Sequence, residues 1–314
     1  SNDNPDDDRW EMYLELQEMY AILQRWYNDK ELYHYLGFLF FNFKAQTPFR
    51  DIYTQWKALN SRDKFLKDIQ HTIATRMLDR YLEETEKAAP DYQKCLKTMT
   101  EAISDFRENW YNNDKELYQI LILLDIFRIL DSKSIKKLPT DYFTRKSGQK
   151  DGEDKEHILS QTPRKDNGEI TTIKTDWEKF VQSEDFKDIR SQMQDILNHS
   201  DAELTEQELI QLQNLLNSAG LNSIGNMALL DLRINRSYGN ADYTHKRTII
   251  FQEYMNQKYV RPHTLAVFMK GDIDAREATG IPLNRWTLED IKRNTDKIAK
   301  EIGKNFNAWL TQNN

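Results

Sequence analysis

Three features of this 314-residue chain predict a mainly α-helical protein. Glycine and proline number only ten and seven, too few for a barrel or sandwich, which turns about every 8–12 residues. Apolar residues recur at three- and four-residue intervals over long stretches, the spacing that gathers them on one face of a helix. Hydrophobic residues make up 39% of the chain and aromatics 11%, enough buryable surface for a packed core rather than a disordered chain. The length fits one large or two medium domains.

Residues 1–9 hold four aspartates before Trp10 and read as a solvated leader. The missing initiator Met suggests a trimmed chain whose parent carries a further N-terminal domain. Residues 10–143 form the helical domain, opening with Trp10, Tyr13, Leu14, Leu16 and Tyr20 on a helical spacing. Two similar segments, beginning at Trp26-Tyr27-Asn28-Asp29 and Trp110-Tyr111-Asn112-Asn113, each predict a helix end, an Asn/Asp cap and a new apolar helix. Pro139 and the polar, glycine-punctuated stretch 145–152 then mark a boundary. Within 144–314, His157-Ile158-Leu159 is a short apolar run with the look of a strand, followed by a loop with Pro163, Asn167 and Gly168. Helical stripes return at Trp177, Phe180, Phe186, Ile189, Met193 and Leu197, and again from Leu204 to Leu216 after an N-cap at Ser200 or Asp201. These read as a helical insertion over about 170–220. Thr287-Leu288-Glu289-Asp290 has the form of a capping box, and Ile291, Ile298, Ile302, Phe306 and Leu310 share one face of a closing helix.

Several function classes drop out. No run approaches the roughly 20 apolar residues needed to cross a bilayer; Asp125 and Arg128 interrupt the richest one. The single cysteine, Cys95, excludes a disulfide framework or a zinc site of several thiolates and fits a reducing cytoplasm. The six histidines form no His-Glu-x-x-His, and no phosphate-binding glycine loop or Gly-x-Ser-x-Gly elbow is present. A net charge of −7 supplies no global attraction to nucleic acid. His34 and His71, in apolar helical contexts, are expected to be structural.

Chemistry points instead to three segments: Glu156-His157-Ile158-Leu159-Ser160-Gln161; Gly225-Asn226-Met227-Ala228-Leu229-Leu230; and Asn235 followed by Lys246. Together they resemble the HNH nuclease (ββα-metal) domain at the C-terminus of GmrSD-type restriction endonucleases, whose pattern is Glu/Asp-His-Ile-x-Pro-Gln, Gly-Asn-Leu-x-Leu-Leu, then Asn and a downstream Lys. Ser160 stands where that pattern has Pro. The resemblance implies an HNH core split by the helical insertion, cutting DNA with Mg²⁺ (or Mn²⁺) in defence against phage or other foreign or modified DNA. It also implies a ParB-like domain in the parent protein.

Phosphodiester hydrolysis needs an activated water and a cation against the developing charge. Imidazole, with an ordinary pKa near 6.5, can take the water's proton at neutral pH, so His157 is the expected general base. By resemblance, Glu156 and Asn235 are the metal ligands, a sparse oxygen set that suits Mg²⁺, and Asn226 ties the loop to the strand and orients the imidazole. Six basic residues against three acidic ones over 226–261 make a local +3, and Arg233, Arg236, Lys246 and Arg247 are the expected phosphate contacts. Bland readings stand beside these: Asn235 and Asn240 as turn residues around Gly239, and Lys246-Arg247 as a solvated helix face. Neighbours on a strand point to opposite faces, so Glu156 and His157 need a strand end or bulge to act together. The rival to a nuclease is a catalytically silent helical module that binds DNA or a protein and keeps the HNH core as scaffold.

Overall fold

The computed structural model describes residues 5–134, 137–145, 152–160, 162, 163, 165, 169–234, 243–270 and 284–312. Six helices come first: α1 (Pro5–Asn28), α2 (Lys30–Asn42), α3 (Phe49–Leu59), α4 (Arg62–Leu78), α5 (Tyr92–Ser104) and α6 (Asp114–Asp131). The helix begins at Pro5, inside the expected leader; proline's fixed φ suits a first helical position. The two similar corners divide. Asp29 caps α2, its carboxylate accepting from the Glu31 and Leu32 amides. At the second corner Trp110–Asn112 is a 3-10 turn, and the Asn113 side chain reaches Glu116 instead of the helix amides.

Helix α6 runs through the middle of this array, and its residues are buried almost without a break from Glu116 to Ile129. It is followed by β1 (Glu153–His157), α7 (Lys174–Val181), α8 (Arg190–Asn198), α9 (Glu206–Ser218) and β2 (Met227–Asp231). The last helices are α10 (Tyr243–Met255), α11 (Pro262–Met269) and α12 (Leu288–Thr311). The strand precedes the apolar run expected to form it: only His157 of that run is in β1. The N-cap of α9 is Thr205, in a capping box with Glu208, and not Ser200 or Asp201. The Thr287–Asp290 box starts α12 as expected.

The strands pair antiparallel, with Glu153 opposite Asp231 and His157 opposite Met227. Alternate side chains of a strand leave opposite faces, and β2 uses both. Met227 and Leu229 enter a core built by α2, α4, α5, α6 and α12. Ala228 and Leu230 enter a second core with Trp177, Met193, Leu212, Tyr243 and Phe268. A strand covered on two sides needs a continuous apolar run, which Met227-Ala228-Leu229-Leu230 provides. The cores do not divide at 143/144, because Ile298, Ile302, Phe306 and Trp309 of α12 pack among the N-terminal helices. Among the described residues no helix is long and apolar enough to cross a membrane.

Candidate active site

Strand β1 reads Glu-Asp-Lys-Glu-His, five polar residues of which Glu153 and His157 are buried and the three between them half-buried, so the buried groups need partners. The Arg261 guanidinium, just before α11, grips both Glu153 oxygens at 2.7 Å and donates to Asp125 of α6 at 2.8 Å. All three side chains are buried. Burial pushes the Asp125 carboxyl upward even with the arginine beside it. On the same face Lys155 pairs with Asp114 and the Tyr111 carbonyl. The start and middle of β1 are thereby pinned to α6 and the turn before it.

His157 ends the strand. Its ring stacks on Tyr111, centroids 4.7 Å apart, and its Nε2 lies 2.8 Å from Oδ1 of Asn222. Asn222 is held in turn by Asn217 Oδ1, to which it donates at 2.6 Å, and by the Trp110 amide, which donates to its carbonyl at 2.9 Å. Glu156 leaves the opposite face of β1. Its Oε1 accepts from Lys246 Nζ at 2.7 Å, and the same ammonium donates to the His157 carbonyl at 2.7 Å. Lys246 is 1% exposed.

Asn226 sits in the 3-10 turn Ile224–Asn226 that leads into β2. Its Oδ1 accepts from the Leu159 amide at 2.8 Å, and its Nδ2 donates to the carbonyls of Leu159 and Leu221. Its backbone carbonyl accepts from Ile158. Asn226 therefore clasps the chain beyond β1, whereas the imidazole's own partner is Asn222. Gly225 beside it exists for space: a Cβ there would lie 2.3 Å from the Ile291 carbonyl and from Thr295 Oγ1.

The structure thus brings Glu156, Lys246 and the main chain of His157 together, with Asn226 closing the next turn. It separates the Glu156 carboxylate and His157 imidazole onto two faces. Of the expected phosphate contacts, Lys246 departs from both readings, because it is neither at a solvated surface nor open to a phosphate: Glu156 and the His157 carbonyl use its ammonium inside the fold. Arg247 Nε donates to the Phe268 carbonyl at 3.0 Å, and Arg233 is exposed, 3.6 Å from Asp231. Asn235 and Arg236 lie outside the described residues, as do Gln161, the Gly239–Asn240 turn, Asn167 and Gly168, and residues 146–151 of the linker. Among the described residues no three His, Cys, Asp or Glu side chains gather as a metal-holding group. Sequence reasoning missed Asn222, Tyr111 and Arg261; Asn222, four residues before Asn226 in one short loop, was within reach of it.

A cavity of about 1170 Å³ lies between α2, α6, α11 and α12, and none of Glu156, His157, Asn226 or Lys246 borders it. The candidate chemistry sits at the β1 end instead, where polar groups converge.

Searches of curated proteins and of solved structures return no match. The family model described as GmrSD restriction endonucleases, C-terminal domain, matches residues 100–301, from within α5 into α12. That span is well over half of the chain, and the protein belongs to this family of restriction endonuclease C-terminal domains.

Proposed function

We propose that the chain is a metal-dependent DNA endonuclease of HNH type, acting within a restriction system on foreign or modified DNA. The observation that carries this reading is Lys246, on the helix after the second strand, reaching Glu156 and the His157 carbonyl at once. It ties α10 to β1, which pairs with β2, an arrangement that supports a two-strand-plus-helix reading. Glu156 would hold a divalent cation with Asn235, and its carboxylate is the hard oxygen donor that Mg²⁺ or Mn²⁺ takes. When bound, such an ion offsets charge on the phosphate and the leaving oxygen. His157 takes the proton of the attacking water. Asn222 and Tyr111 fix its ring, and Asn226 fixes the backbone that follows. Arg233 and Arg236 would meet phosphates. A ParB-like domain is the partner this reading expects in a parent protein.

The test is plasmid cleavage in Mg²⁺ and in Mn²⁺, on plain and modified DNA, beside His157→Ala. Cleavage abolished by the substitution supports the reading; wild-type protein that binds Mg²⁺ with its fold intact and cuts nothing would sink it.

One observation favours a second reading, a catalytically silent scaffold that binds DNA or a protein. The Glu156 carboxylate already accepts an ammonium, and the His157 ring lies on the other face of the strand. Metal titration separates the two: a working site binds Mn²⁺ and loses it on Glu156→Ala, whereas a scaffold is indifferent.

A further inference from the structure

Helix α1 packs by one side only. Ile22 and Trp26 are buried and Met19 is half-buried against the core. On the opposite side Trp10, Tyr13, Gln17, Tyr20, Gln24 and Tyr27 follow one another at alternating steps of three and four. These are the a and d positions of a heptad seam. At 100° per residue the seam lies almost diametrically across from Ile22 and Trp26. Trp10 is 60% exposed, Tyr13 50%, Tyr20 61% and Tyr27 57%, the last even with Lys137 resting on its ring. Leu14, Leu16 and Leu23 flank the seam and are also exposed.

Such an aromatic surface in a protein with 30% charged residues asks for a partner. The order of its residues identifies which one. About a point between positions 18 and 19, Trp10 falls opposite Tyr27, Tyr13 opposite Gln24 and Gln17 opposite Tyr20, so each layer of an antiparallel pair sets an aromatic ring against another ring or against a glutamine amide, and no layer sets glutamine against glutamine. Each pair joins an a position to a d position, the layer that two antiparallel helices form. On the flanks, where antiparallel helices meet e to e and g to g, Leu14 comes beside Ala21 and Leu16 beside Leu23. A surface that is its own complement under a two-fold rotation is what an isologous dimer requires.

The helix is also prepared for this. Gln17 donates to the Tyr13 hydroxyl at 3.1 Å, Gln24 donates to the Tyr20 hydroxyl at 2.8 Å, and Trp10 stacks on Tyr13. Glu11, Glu15 and Glu18 lie off the seam, so two copies meet without like charges in the contact. Half-exposed aromatics and three leucines would bury roughly 600 Å² per copy, above the ~1,000 Å² total of a specific interface.

We infer that α1 is a dimerisation helix, and that two copies of this chain join through antiparallel pairing of the Trp10–Tyr27 seam. The inference is independent of the nuclease reading.

Sedimentation equilibrium of the full chain at tens of micromolar tests it. A dimer is expected. Tyr20→Glu at the centre of the seam, or Leu16→Lys at its flank, should weaken association at least tenfold while the circular dichroism and Tm hold, because both side chains are exposed. Register is read by oxidative cross-linking: a Gln17→Cys chain mixed with a Tyr20→Cys chain should form the mixed disulfide in preference to either homodimer, with buried Cys95 silent. A monomeric wild type, a dimer indifferent to both substitutions, or preferred 17-to-17 cross-links, the mark of a parallel pair, would each overturn it.

Discussion

Nε2 of His157 lies 2.8 Å from Oδ1 of Asn222, and the imidazole is stacked on Tyr111. An amide oxygen accepts but cannot donate, so this contact fixes Nε2 as the protonated nitrogen and leaves Nδ1 as the basic one. The Asn222 amide nitrogen donates to Asn217, which sets the orientation of the Asn222 oxygen. Removing the group that orients a metal-ligating histidine costs about 10–100-fold, and the same scale is expected for a base held by its other nitrogen. Asn222→Ala is expected to lower the cleavage rate by that order with little change in DNA affinity. Asn222→Asp should move the acidic limb of the pH–rate profile to higher pH, because an adjacent carboxylate favours imidazolium. A profile that does not move in Asn222→Asp would show that His157 is not the titrating base.

Lys246 and Glu156 make a separate case. The ammonium is buried and its carboxylate is nearly so, and deleting one member of a buried pair leaves the other charge uncompensated, typically at a cost of about 3–5 kcal/mol. Glu156 keeps some solvent contact, so Lys246→Met should cost about 2–3 kcal/mol in urea unfolding. The double variant Glu156→Gln/Lys246→Met should recover part of that loss. Additive single losses would mean that the two side chains do not interact in solution.

How much of this was legible in the sequence depends on the range of the interaction. Helix periodicity, the Asp29 corner and the Thr287 capping box are local, and each stands in the structure where the local pattern puts it. The Thr205–Glu208 box was equally local, and the nearby serine and aspartate obscured it. Strand β1 was not legible, because four of its five polar side chains are made tolerable by Arg261, Asp114, Asn222 and Lys246, residues 41 to 108 positions away. A window of neighbours sees only their polarity and moves the strand onto the apolar residues that follow. The burial of Lys246 escaped for the same reason. So did the packing of α12 against α5, which gives the N-terminal helices and the C-terminus a shared core.

Gly225 is a position where sequence and packing can be tested together. Its backbone is not left-handed, so the need for glycine is one of space. The atoms a Cβ would strike are the Ile291 carbonyl and the Thr295 amide, at 2.3 and 2.6 Å, with Thr295 Oγ1 at 2.3 Å. Backbone in the opening turns of a packed helix cannot yield as a side-chain tip can. Gly225→Ala is therefore expected at the upper end of overpacking costs, about 3 kcal/mol. It should also displace Asn226 from the Leu159 backbone. A loss below about 1 kcal/mol in equilibrium unfolding would mean that α12 sits farther from the turn than described.

His34 carries the pH dependence. Buried in α2, it accepts a hydrogen bond from the Leu138 amide at Nε2 and turns Nδ1 toward the Lys30 carbonyl. The backbone N–H at Nε2 requires a lone pair there, so the neutral ring is the one that fits. Burial depresses the imidazole from 6.5 to about 4. As pH falls through 6.5 the unfolded chain takes up a proton that the folded chain refuses. Stability should therefore decline between pH 6.5 and about 4, by an amount on the order of 3 kcal/mol across the window, and stop declining from this source below it. Above pH 6.5 the ring is neutral in both states and contributes no slope. Carboxylates also titrate near the bottom of this range, so the informative quantity is a difference. Unfolding free energies at pH 7.0 and 5.0 should converge for His34→Gln relative to wild type, even though the variant is less stable at pH 7.0. Parallel losses in the two proteins would show that His34 is already protonated in the fold.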